Sequence, residues 1–499
     1  MNNNCKTIAA IDLGSNSFHM IVAIKDGGSF QVVDRIKESV RLASGINSHN
    51  QLSDEVSELA LDCLSRFNQR LKDVSPSCVR VVGTSTMRKI DDNNLFFNKA
   101  IDALGHDIEI ITGTEEARLV YLGVSQDIEN NDVNRLVVDI GGGSTELILG
   151  RNAILGMGDS LSMGCVSVTN TFFSNGEINQ KKVDKAMLHC SLKLRPMKKW
   201  YANSNWELAI GSSGTARALL AIHELMEWSD GFITEEGLDK LLSYLISCHH
   251  IDNIKLKALS ESRRLVIVGG AIIMKSVFSA LKIEKMQVSA FSLREGLLKE
   301  LLGSDLQKDI KSQTIESLMT NYKVDKVYAN MVLETANKMF SQVKAPWSLS
   351  SLDKQLLEWS VSTSEIGLSL NHRGFHKHSA YILNNIDLPG FSRQLTRQLS
   401  VIVENQRKKI NKKSLDVVSA FKKMNCIYLI VLLRLSLLLH RGRMLNSNLD
   451  FQIAVKSNVI KLSFSKDWYK THPLNVAELY KEKKLLKVLD IKLKIKTFN

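Results

Sequence analysis

Two related stretches decide the fold of this 499-residue chain: residues 9–20 read AAIDLGSNSFHM, and residues 137–147 read VVDIGGGSTEL. In each, an apolar β-rich run ends at an aspartate, Asp12 or Asp139, and a glycine-rich turn leads into a second β-rich run. The repetition predicts an internal duplication at the scale of a domain.

Outward from these stretches, β-rich and helical segments alternate up to about residue 302, a pattern typical of α/β domains. Beyond this point the periodicity indicates helices, followed by strands in residues 451–464. We place domain boundaries after residues 124, 302 and 444. This division predicts four parts: 1–124, 125–302, 303–444 and 445–499.

The glycine-rich turns carry the chemistry. Glycine lets backbone N–H groups approach and surround an anion such as phosphate, and a nearby carboxylate can hold Mg²⁺. One such hairpin is also typical of an ordinary β-turn, but two copies favour a cleft in which both turns face a phosphate.

Two further turns are candidates of the same kind. Residues 211–215, GSSGT, follow a predicted strand and open a helix, which is a geometry for anion binding; the alternative is simple capping by Ser213 or Thr215. Residues 265–268 are predicted as a strand, and 268–271, VGGA, as a fourth strand–turn–helix junction.

The net charge of +13 is unevenly distributed. Residues 1–300 hold 33 basic and 36 acidic side chains, whereas residues 301–499 hold 32 and 16. This asymmetry favours a polyanion or an acidic surface as partner of the C-terminal part. The alternative is a solvated lysine-rich face.

Seven scattered cysteines without zinc-site spacing predict reduced thiols in a cytosol. The N-terminus lacks the pattern of a signal peptide. The apolar run 427–439 is interrupted by Arg434 and falls short of the roughly 20 residues that span a bilayer. We expect a cytoplasmic protein with no membrane insertion.

Together the motifs resemble the exopolyphosphatase and guanosine pentaphosphate phosphohydrolase family of the actin-like ATPase superfamily. They occur in the family's order: AAIDLGSNSFHM (9–20), VGTSTMR (82–88), ITGTEEARLVYLGV (111–124), VVDIGGGSTEL (137–147), MGCVS (163–167), GSSGT (211–215) and LREG (293–296). The resemblance implies two actin-like (ribonuclease H-like) α/β domains with a cleft between them. A mainly helical HD-like domain and a small basic α+β region would follow.

Residues 371–391, 407–410 and 466–473 are more similar to the long exopolyphosphatases. The main hypothesis is therefore Mg²⁺-dependent hydrolysis of the terminal phosphoanhydride of inorganic polyphosphate. The first alternative is an enzyme that hydrolyses guanosine pentaphosphate to the tetraphosphate. The second alternative is a non-catalytic protein that binds polyphosphate or nucleic acid. No RNA-binding signature accompanies the basic tail, so no nucleic-acid partner is expected, and the resemblance implies a homodimer.

The resemblance also implies roles for individual residues. Glu116 matches the catalytic base, Asp139 a catalytic carboxylate and Arg88 a substrate-phosphate contact, while Asp12, Asp139 and Glu146 would hold the metal. For the two glutamates of ITGTEEAR, the alternative is a capped helix start with Thr114 as the cap. The phosphate-binding residues would be Gly14, Ser15, Asn16, Ser17, Gly142, Gly143, Ser144, Thr145, Gly211, Ser212, Ser213 and Gly214.

The HD-like part departs from the pattern of the long exopolyphosphatases. Where they carry two histidines, this chain has Ser364 and Gln406, poor replacements for imidazole at a divalent metal. We therefore predict no HD-type metal centre. A polyphosphate track is predicted instead at Arg373, His376, Lys377 and His378.

Overall fold

The computed structural model describes residues 6–47, 49–90, 96–128, 132–302, 310–418, 420–443 and 449–498. The chain divides into two compact units, Met1–Lys308 and Asp309–Asn499. The predicted boundaries near 302 and 444 adjoin or fall on residues outside the described ranges, and the four-part division stays a prediction.

Unit 1 is built on two sheets with helices packed against them. Its described strands are β1 (Thr7–Leu13), β2 (Phe18–Asp26), β3 (Ser29–Glu38), β4 (Val79–Gly83), β5 (Glu109–Ile110), β6 (Asn134–Ile140), β7 (Thr145–Arg151), β8 (Ile154–Leu161), β9 (Leu208–Ser212), β10 (Ile233–Thr234) and β11 (Lys285–Val288). Its described helices are α1 (Asp54–Leu71), α2 (Phe96–Leu104), α3 (Gly113–Val124), α4 (Cys165–Phe172), α5 (Gln180–Leu194), α6 (Ser213–Leu225), α7 (Glu235–Ser247), α8 (Glu261–Arg264), α9 (Ile267–Leu281) and α10 (Leu293–Leu301).

The two sheets share one topology, and each contains one copy of the repeated sequence motif. The first has the order β3-β2-β1-β4-β5, and the second has β8-β7-β6-β9-β11 with β10 added at its edge. In both, an antiparallel three-strand meander precedes parallel strands. A register irregularity recurs at the matching place, at Val22/Ala23 in β2 and at Leu149/Gly150 in β7.

Helices α3 and α10 lie against both sheets, since their apolar residues share one core cluster with Ile8, Val82, Val137 and Ile210. Their backbones nearly touch. A Cβ added at Gly123 would overlap the Ser292 carbonyl oxygen, and one at Gly296 would overlap the Leu119 carbonyl oxygen. Glycine at both positions is therefore what permits this close crossing.

The prediction of a strand at 265–268 is wrong. These residues lead into α9, whose interior contains Gly269 and Gly270. A Cβ at Gly269 would overlap the Cys165 carbonyl oxygen, and one at Gly270 would lie 2.7 Å from Thr215 Cγ2. The glycine pair therefore allows α9 to pack closely on α4 and α6, and it forms no anion-binding turn.

Unit 2 is mainly helical and ends in a small sheet. Its described helices are α11 (Ile310–Asn321), α12 (Lys326–Val343), α13 (Ser351–Thr363), α14 (Phe375–Asn385), α15 (Arg393–Glu404), α16 (Ala420–Leu439), α17 (Lys466–Thr471) and α18 (Pro473–Leu485). Its strands are β12 (Phe451–Lys456), β13 (Val459–Ser465) and β14 (Lys492–Phe498), in the order β12-β13-β14. A single apolar core joins the helices to one face of this sheet.

Five cysteines of the described chain are free thiols, whereas Cys78 is disulfide-bonded. The prediction of an entirely reduced set is therefore wrong at Cys78. Among the described residues, we find no helix with the length and apolar character that crossing a membrane requires.

Candidate functional site

The candidate site is a cleft of about 330 Å³ in unit 1, where the two repeated hairpins meet. The cleft is lined chiefly by turn residues, carboxylates and cations. The predicted residues that line it are Asp12, Gly14, Ser15, Asn16, Ser17, Glu116, Asp139, Gly142, Gly143, Ser144, Ser213 and Gly214.

The first two turns face each other at close range. A Cβ at Gly142 would lie 3.0 Å from Ser15 Cβ, and one at Gly143 would lie 2.7 Å from Ser85 Oγ. The turns have the same internal bond, from the N–H of Gly14 to the Ser17 carbonyl (3.2 Å) and its counterpart in the second hairpin. The backbone N–H groups of residues 15, 16, 142 and 143 make no hydrogen bond with any described residue, so they can donate to an anion.

The third turn is attached to the second hairpin. Ser213 Oγ and Thr215 Oγ1 both donate to the Ile140 carbonyl oxygen, at 3.0 and 2.9 Å. Ser213 has a φ of 76°, a conformation that is strained for a residue other than glycine. Ser213 Oγ also accepts from the Thr215 N–H (3.3 Å), so this hydroxyl satisfies a donor at the start of α6 and also fixes the turn beside Asp139.

Four carboxyl groups form one electrostatically coupled cluster: Asp12, Glu116, Asp139 and Glu146. Burial raises the pKa of Asp12 to about 7, with Glu116 and Asp139 contributing and Arg294 opposing. Burial also raises the pKa of Asp139 and, more strongly, that of Glu146. Proximity of several carboxylates in a desolvated site favours a protonated or cation-bound state.

The predicted base, Glu116, is held by an arginine. Arg88 Nη1 donates to Glu116 Oε2 (2.8 Å) and to the Ile111 carbonyl oxygen (2.9 Å). Burial raises the pKa of Glu116, and the Arg88 guanidinium opposes this rise. Arg88 therefore orients the carboxylate, and it is absent from the residues that line the cleft.

Hydroxyl groups orient the other two carboxylates. Ser292 Oγ donates to Asp139 Oδ2 (2.8 Å), and Ser160 Oγ donates to Glu146 Oε1 (2.7 Å). Ser292 is also the N-cap of α10. The start of α10 thus fixes Asp139, just as α3 carries Glu116.

Opposite the carboxylates lies a set of cations that sequence reasoning did not assign to the site. The cleft is lined by Arg35, Lys37, Arg217, Arg263 and Arg294. The side chains of Lys37 and Arg263 make no hydrogen bond or ion pair with a described residue, although their backbones are hydrogen-bonded. Burial and mutual repulsion lower the pKa of Lys37 and of Arg217. Such a concentration of cations in a partly desolvated cleft favours a phosphate-rich ligand.

Arg263 and Arg294 have informative positions. A Cβ at Gly214 would overlap the Arg263 guanidinium, so this cation lies directly on the third turn. Arg294 Nη1 donates to His19 Nδ1 (3.0 Å). Burial, together with Arg294 and the neighbouring cations, lowers the pKa of His19 to about 2, so its imidazole is neutral. The neighbouring Glu295 binds Arg35 of β3 (3.0 Å).

Glu115, next to the base, belongs to a separate ion network. It accepts two bonds from Arg118, at 2.7 and 2.8 Å, and Arg118 also pairs with Glu300 of α10. Glu300 in turn pairs with Arg80 of β4. Helix α3 is capped by Thr112, and the expectation that Thr114 is the cap is wrong. Glu115 thus ties α3 to α10.

Several predicted site residues do not line the cleft: Arg88, Thr145, Glu146, Gly211 and Ser212. Thr145 is buried and donates to the Met163 carbonyl, and Ser212 donates to the Phe291 carbonyl (3.2 Å). Their position corrects the prediction of direct phosphate contact. Glu146 is part of the carboxyl cluster through its charge.

The predicted polyphosphate track lies in unit 2 and is only partly exposed. Arg373 and Lys377 are exposed, but His376 is buried. Burial and nearby cations lower the pKa of His376 to about 4, so it is neutral near pH 7. A buried neutral imidazole does not fit the predicted contact with a polyanion. In the same unit, Gln406 Nε2 donates to the Ser364 carbonyl (2.8 Å).

The cleft has features that suit Mg²⁺. Asp12 Oδ1 is buried and has no hydrogen-bond partner, as expected of an oxygen that needs a cation. Among the described residues, no three His, Cys, Asp or Glu side chains form a metal site by themselves. Mg²⁺ commonly uses one or two carboxylates together with water and substrate phosphates, and Asp12 and Asp139 fit that requirement.

Fold and cleft together define an actin-like α/β protein with a cleft suited to phosphate, and comparisons with known proteins agree on the fold. A model described as the Ppx/GppA phosphatase family matches residues 20–305, and one described as Ppx/GppA phosphatase, domain III, matches 310–483. A guanosine-5'-triphosphate,3'-diphosphate pyrophosphatase of Aeromonas salmonicida is 35% identical over 477 residues, covering 95% of this chain and 96% of the relative. The protein of that name from Vibrio parahaemolyticus is 36% identical over 474 residues, covering 94% of each.

Among solved structures, an exopolyphosphatase from Cytophaga hutchinsonii is similar with a TM-score of 0.54 and 24% identity, covering 59% of this chain and 97% of that chain. The chain belongs to the Ppx/GppA phosphatase family. It is accordingly a hydrolase. The resemblance and the predicted fold class, two actin-like α/β domains followed by a mainly helical part, are confirmed.

Proposed function

We propose that this protein hydrolyses the 5'-terminal phosphoanhydride of guanosine pentaphosphate, giving guanosine tetraphosphate and phosphate. The observation that carries the proposal is the similarity, over nearly the full length of both chains, to curated pyrophosphatases of that substrate. The preference for inorganic polyphosphate drawn from the C-terminal motifs is replaced by its alternative. A non-catalytic role is not retained for a member of a phosphatase family.

The two sides of the cleft support this substrate. The carboxyl cluster and the glycine turns suit the reacting phosphoryl group, and the set Lys37, Arg217, Arg263 and Arg294 provides a second anion-binding region. Guanosine pentaphosphate carries phosphates at both its 5' and 3' positions. The cation set would therefore bind the phosphates that do not react.

In the proposed mechanism Glu116 accepts a proton from water as the water oxygen attacks the terminal phosphorus. The new P–O bond forms while the anhydride P–O bond breaks, and the leaving group, guanosine tetraphosphate, keeps the bridging oxygen and the bond's electron pair. Arg88 holds the Glu116 carboxylate in position through its 2.8 Å bond. The backbone N–H groups of the two turns donate to the phosphoryl oxygens, where negative charge is concentrated.

Mg²⁺ held by Asp12 and Asp139 would supply positive charge against the phosphate oxygens. Ser292 keeps Asp139 in its orientation, and Ser160 does the same for Glu146. Glu146, which does not line the cleft, would act through its charge interactions with Glu116 and Asp139. The residue roles assigned here are proposals that the following experiment can test.

The experiment compares phosphate release from guanosine pentaphosphate, GTP and long-chain inorganic polyphosphate with one enzyme preparation. We expect the highest kcat/KM for guanosine pentaphosphate. GTP lacks the 3'-diphosphate, so Arg263→Ala should weaken catalysis on guanosine pentaphosphate more than on GTP. Lys240→Ala, at an exposed lysine paired with Glu236, is the control. A higher kcat/KM for polyphosphate would contradict the proposal and restore the second candidate, which the same cation set also favours.

A further inference from the structure

The outer face of the small C-terminal sheet carries five lysines, a set called here the lysine face: Lys456, Lys461, Lys492, Lys494 and Lys496. All five are exposed. None makes an ion pair or a side-chain hydrogen bond with a described residue. The other face of the sheet is apolar and contributes Ile453, Leu462 and Leu493 to the core of unit 2.

Strand register places these lysines together. Lys461 of β13 is paired with Lys494 of β14, and Lys492 and Lys496 lie two residues to either side of Lys494 on the same strand. Lys456 of β12 pairs with Val459, which in turn pairs with Lys492. The remaining outward residues are Gln452, Ala454, Val459, Ser463, Ser465 and Phe498, so the face carries no acidic side chain.

Placing lysines next to one another destabilises the sheet, and a soluble surface does not require this placement. Like charges directly opposite on neighbouring strands are destabilising, and Lys461 and Lys494 are such a pair. Lysines on β12 and β14 could protect the sheet edges against pairing with another chain. Lys461 lies on the central strand, where no edge needs protection. An anionic partner would relieve the repulsion.

We propose that the lysine face binds the phosphate backbone of double-helical nucleic acid without reading its sequence. Alternate residues on a strand are about 6.6 Å apart, comparable to the separation of consecutive phosphates along a nucleic-acid strand. In inorganic polyphosphate, neighbouring phosphorus atoms share one bridging oxygen and lie much closer together. The flat face offers no groove to grip so thin a chain.

The side chains of the lysine face favour double-helical over single-stranded nucleic acid. Proteins that bind single strands usually provide several aromatic side chains on which bases stack. Among the described residues of this face the one aromatic side chain is Phe498, which lies at the end of β14 and is only partly exposed. Lysine binds phosphate as a point charge and leaves base edges unread. The surface therefore suits a duplex, and it replaces the expectation from sequence that no nucleic acid is bound.

The test uses the full chain and a fluorescently labelled RNA duplex and DNA duplex of about 20 base pairs, with anisotropy measured over a salt titration. The variant Lys461→Gln/Lys494→Gln/Lys496→Gln removes three charges from the face. We expect its duplex affinity at low salt to fall about tenfold or more, and the slope of log K against log salt to decrease by about 2 to 3. Phosphatase activity, measured on the same samples, reports that unit 1 is folded.

The matched control is Lys481→Gln/Lys484→Gln/Lys487→Gln, which removes three exposed lysines in and just after α18 and leaves the lysine face intact. It should bind duplex like the wild type. An equal loss in both variants would overturn the proposal, because net charge alone would then explain binding. No measurable duplex binding at low salt would also overturn it. So would tight binding of inorganic polyphosphate, lost only in the lysine-face variant, without binding of duplex.

Discussion

The two phosphate hairpins share one backbone but differ at the position opposite their aspartates. In the first, Asp12 is paired with His19 across the strands, and in the second Asp139 is paired with Glu146. His19 is neutral and accepts a bond from Arg294, whereas Glu146 adds a carboxyl group near Glu116. The copy of the motif with His19 therefore has a cation next to its aspartate, and we call it the cationic side of the cleft. The copy with Glu146 has an additional carboxyl group and is called the acidic side. This difference gives the cleft a direction, so a substrate with several phosphates can bind in one orientation.

The largest expected effect tests the acidic side. Glu116→Gln removes the proposed proton acceptor, so kcat should fall by about 10³ with KM little changed. Steady-state phosphate release measures both constants. Glu115→Gln on the same helix is the matched control, since Glu115 is bound by Arg118 in the network that reaches α10. It should lower Tm while most of kcat remains. If Glu116→Gln turned over at the wild-type rate, the base would have to be another group.

The next effect concerns the difference between the hairpins directly. Glu146→Gln should lower kcat by about 10² because the carboxyl cluster loses a group that interacts electrostatically with Glu116 and Asp139. His19→Gln, at the matching position of the first hairpin, should change kcat by no more than a few fold. Equal losses from the two substitutions would mean that the hairpins are functionally equivalent, contrary to the direction inferred for the cleft.

A smaller effect is expected on the cationic side. Arg263→Ala removes a cation that has no partner among the described residues and lies on the third turn. A charge-assisted hydrogen bond contributes about 1.5–3 kcal/mol, so KM should rise roughly tenfold or more, with a modest change in kcat. Arg263→Lys, which keeps the charge, should recover part of the loss. A kcat defect without a KM defect would place Arg263 at the reacting group instead.

The smallest effect is on stability. Because burial raises the pKa of Asp12 from 3.8 to about 7, its ionisation disfavours the folded state as pH rises through that interval. Asp12→Asn should therefore raise Tm by a few degrees at pH 8 in the absence of Mg²⁺, and not at pH 4. Added Mg²⁺ should stabilise the wild type more at pH 8 than at pH 5, because protons compete for the carboxylates. Thermal unfolding that shows the same Mg²⁺ response in Asp12→Asn would exclude Asp12 as a ligand.

The motifs that form continuous turns were predictable from sequence. The paired glycine-rich turns predict a cleft, and the structure shows one that Asp12, Glu116 and Asp139 line. These features are local, since each depends on a short run of residues whose backbone conformation and periodicity are visible in one segment.

The remaining parts depend on tertiary contacts. Arg263 comes from a helix far from the glycine turns in sequence, and Arg217 lies in α6 just after the third turn. Nothing in their own segments distinguishes them from surface arginines. The error at α9 has a different cause. That helix is buried on nearly all sides, so its sequence has no amphipathic period, and its β-branched residues and glycine pair are more typical of a strand and turn. LREG indicated the start of α10 without showing that Ser292 binds Asp139.

The crossing of α3 and α10 has a consequence for how this enzyme can change during evolution. Gly123 and Gly296 leave no room for even one methyl group between the two backbones. A side chain there would turn one helix against the other, and the displacement would reach Glu116 through α3 and Asp139 through Ser292. Two residues without side chains, neither of which lines the cleft, thus set the alignment of the reacting groups. They should tolerate replacement less readily than the arginines that we propose contact the substrate.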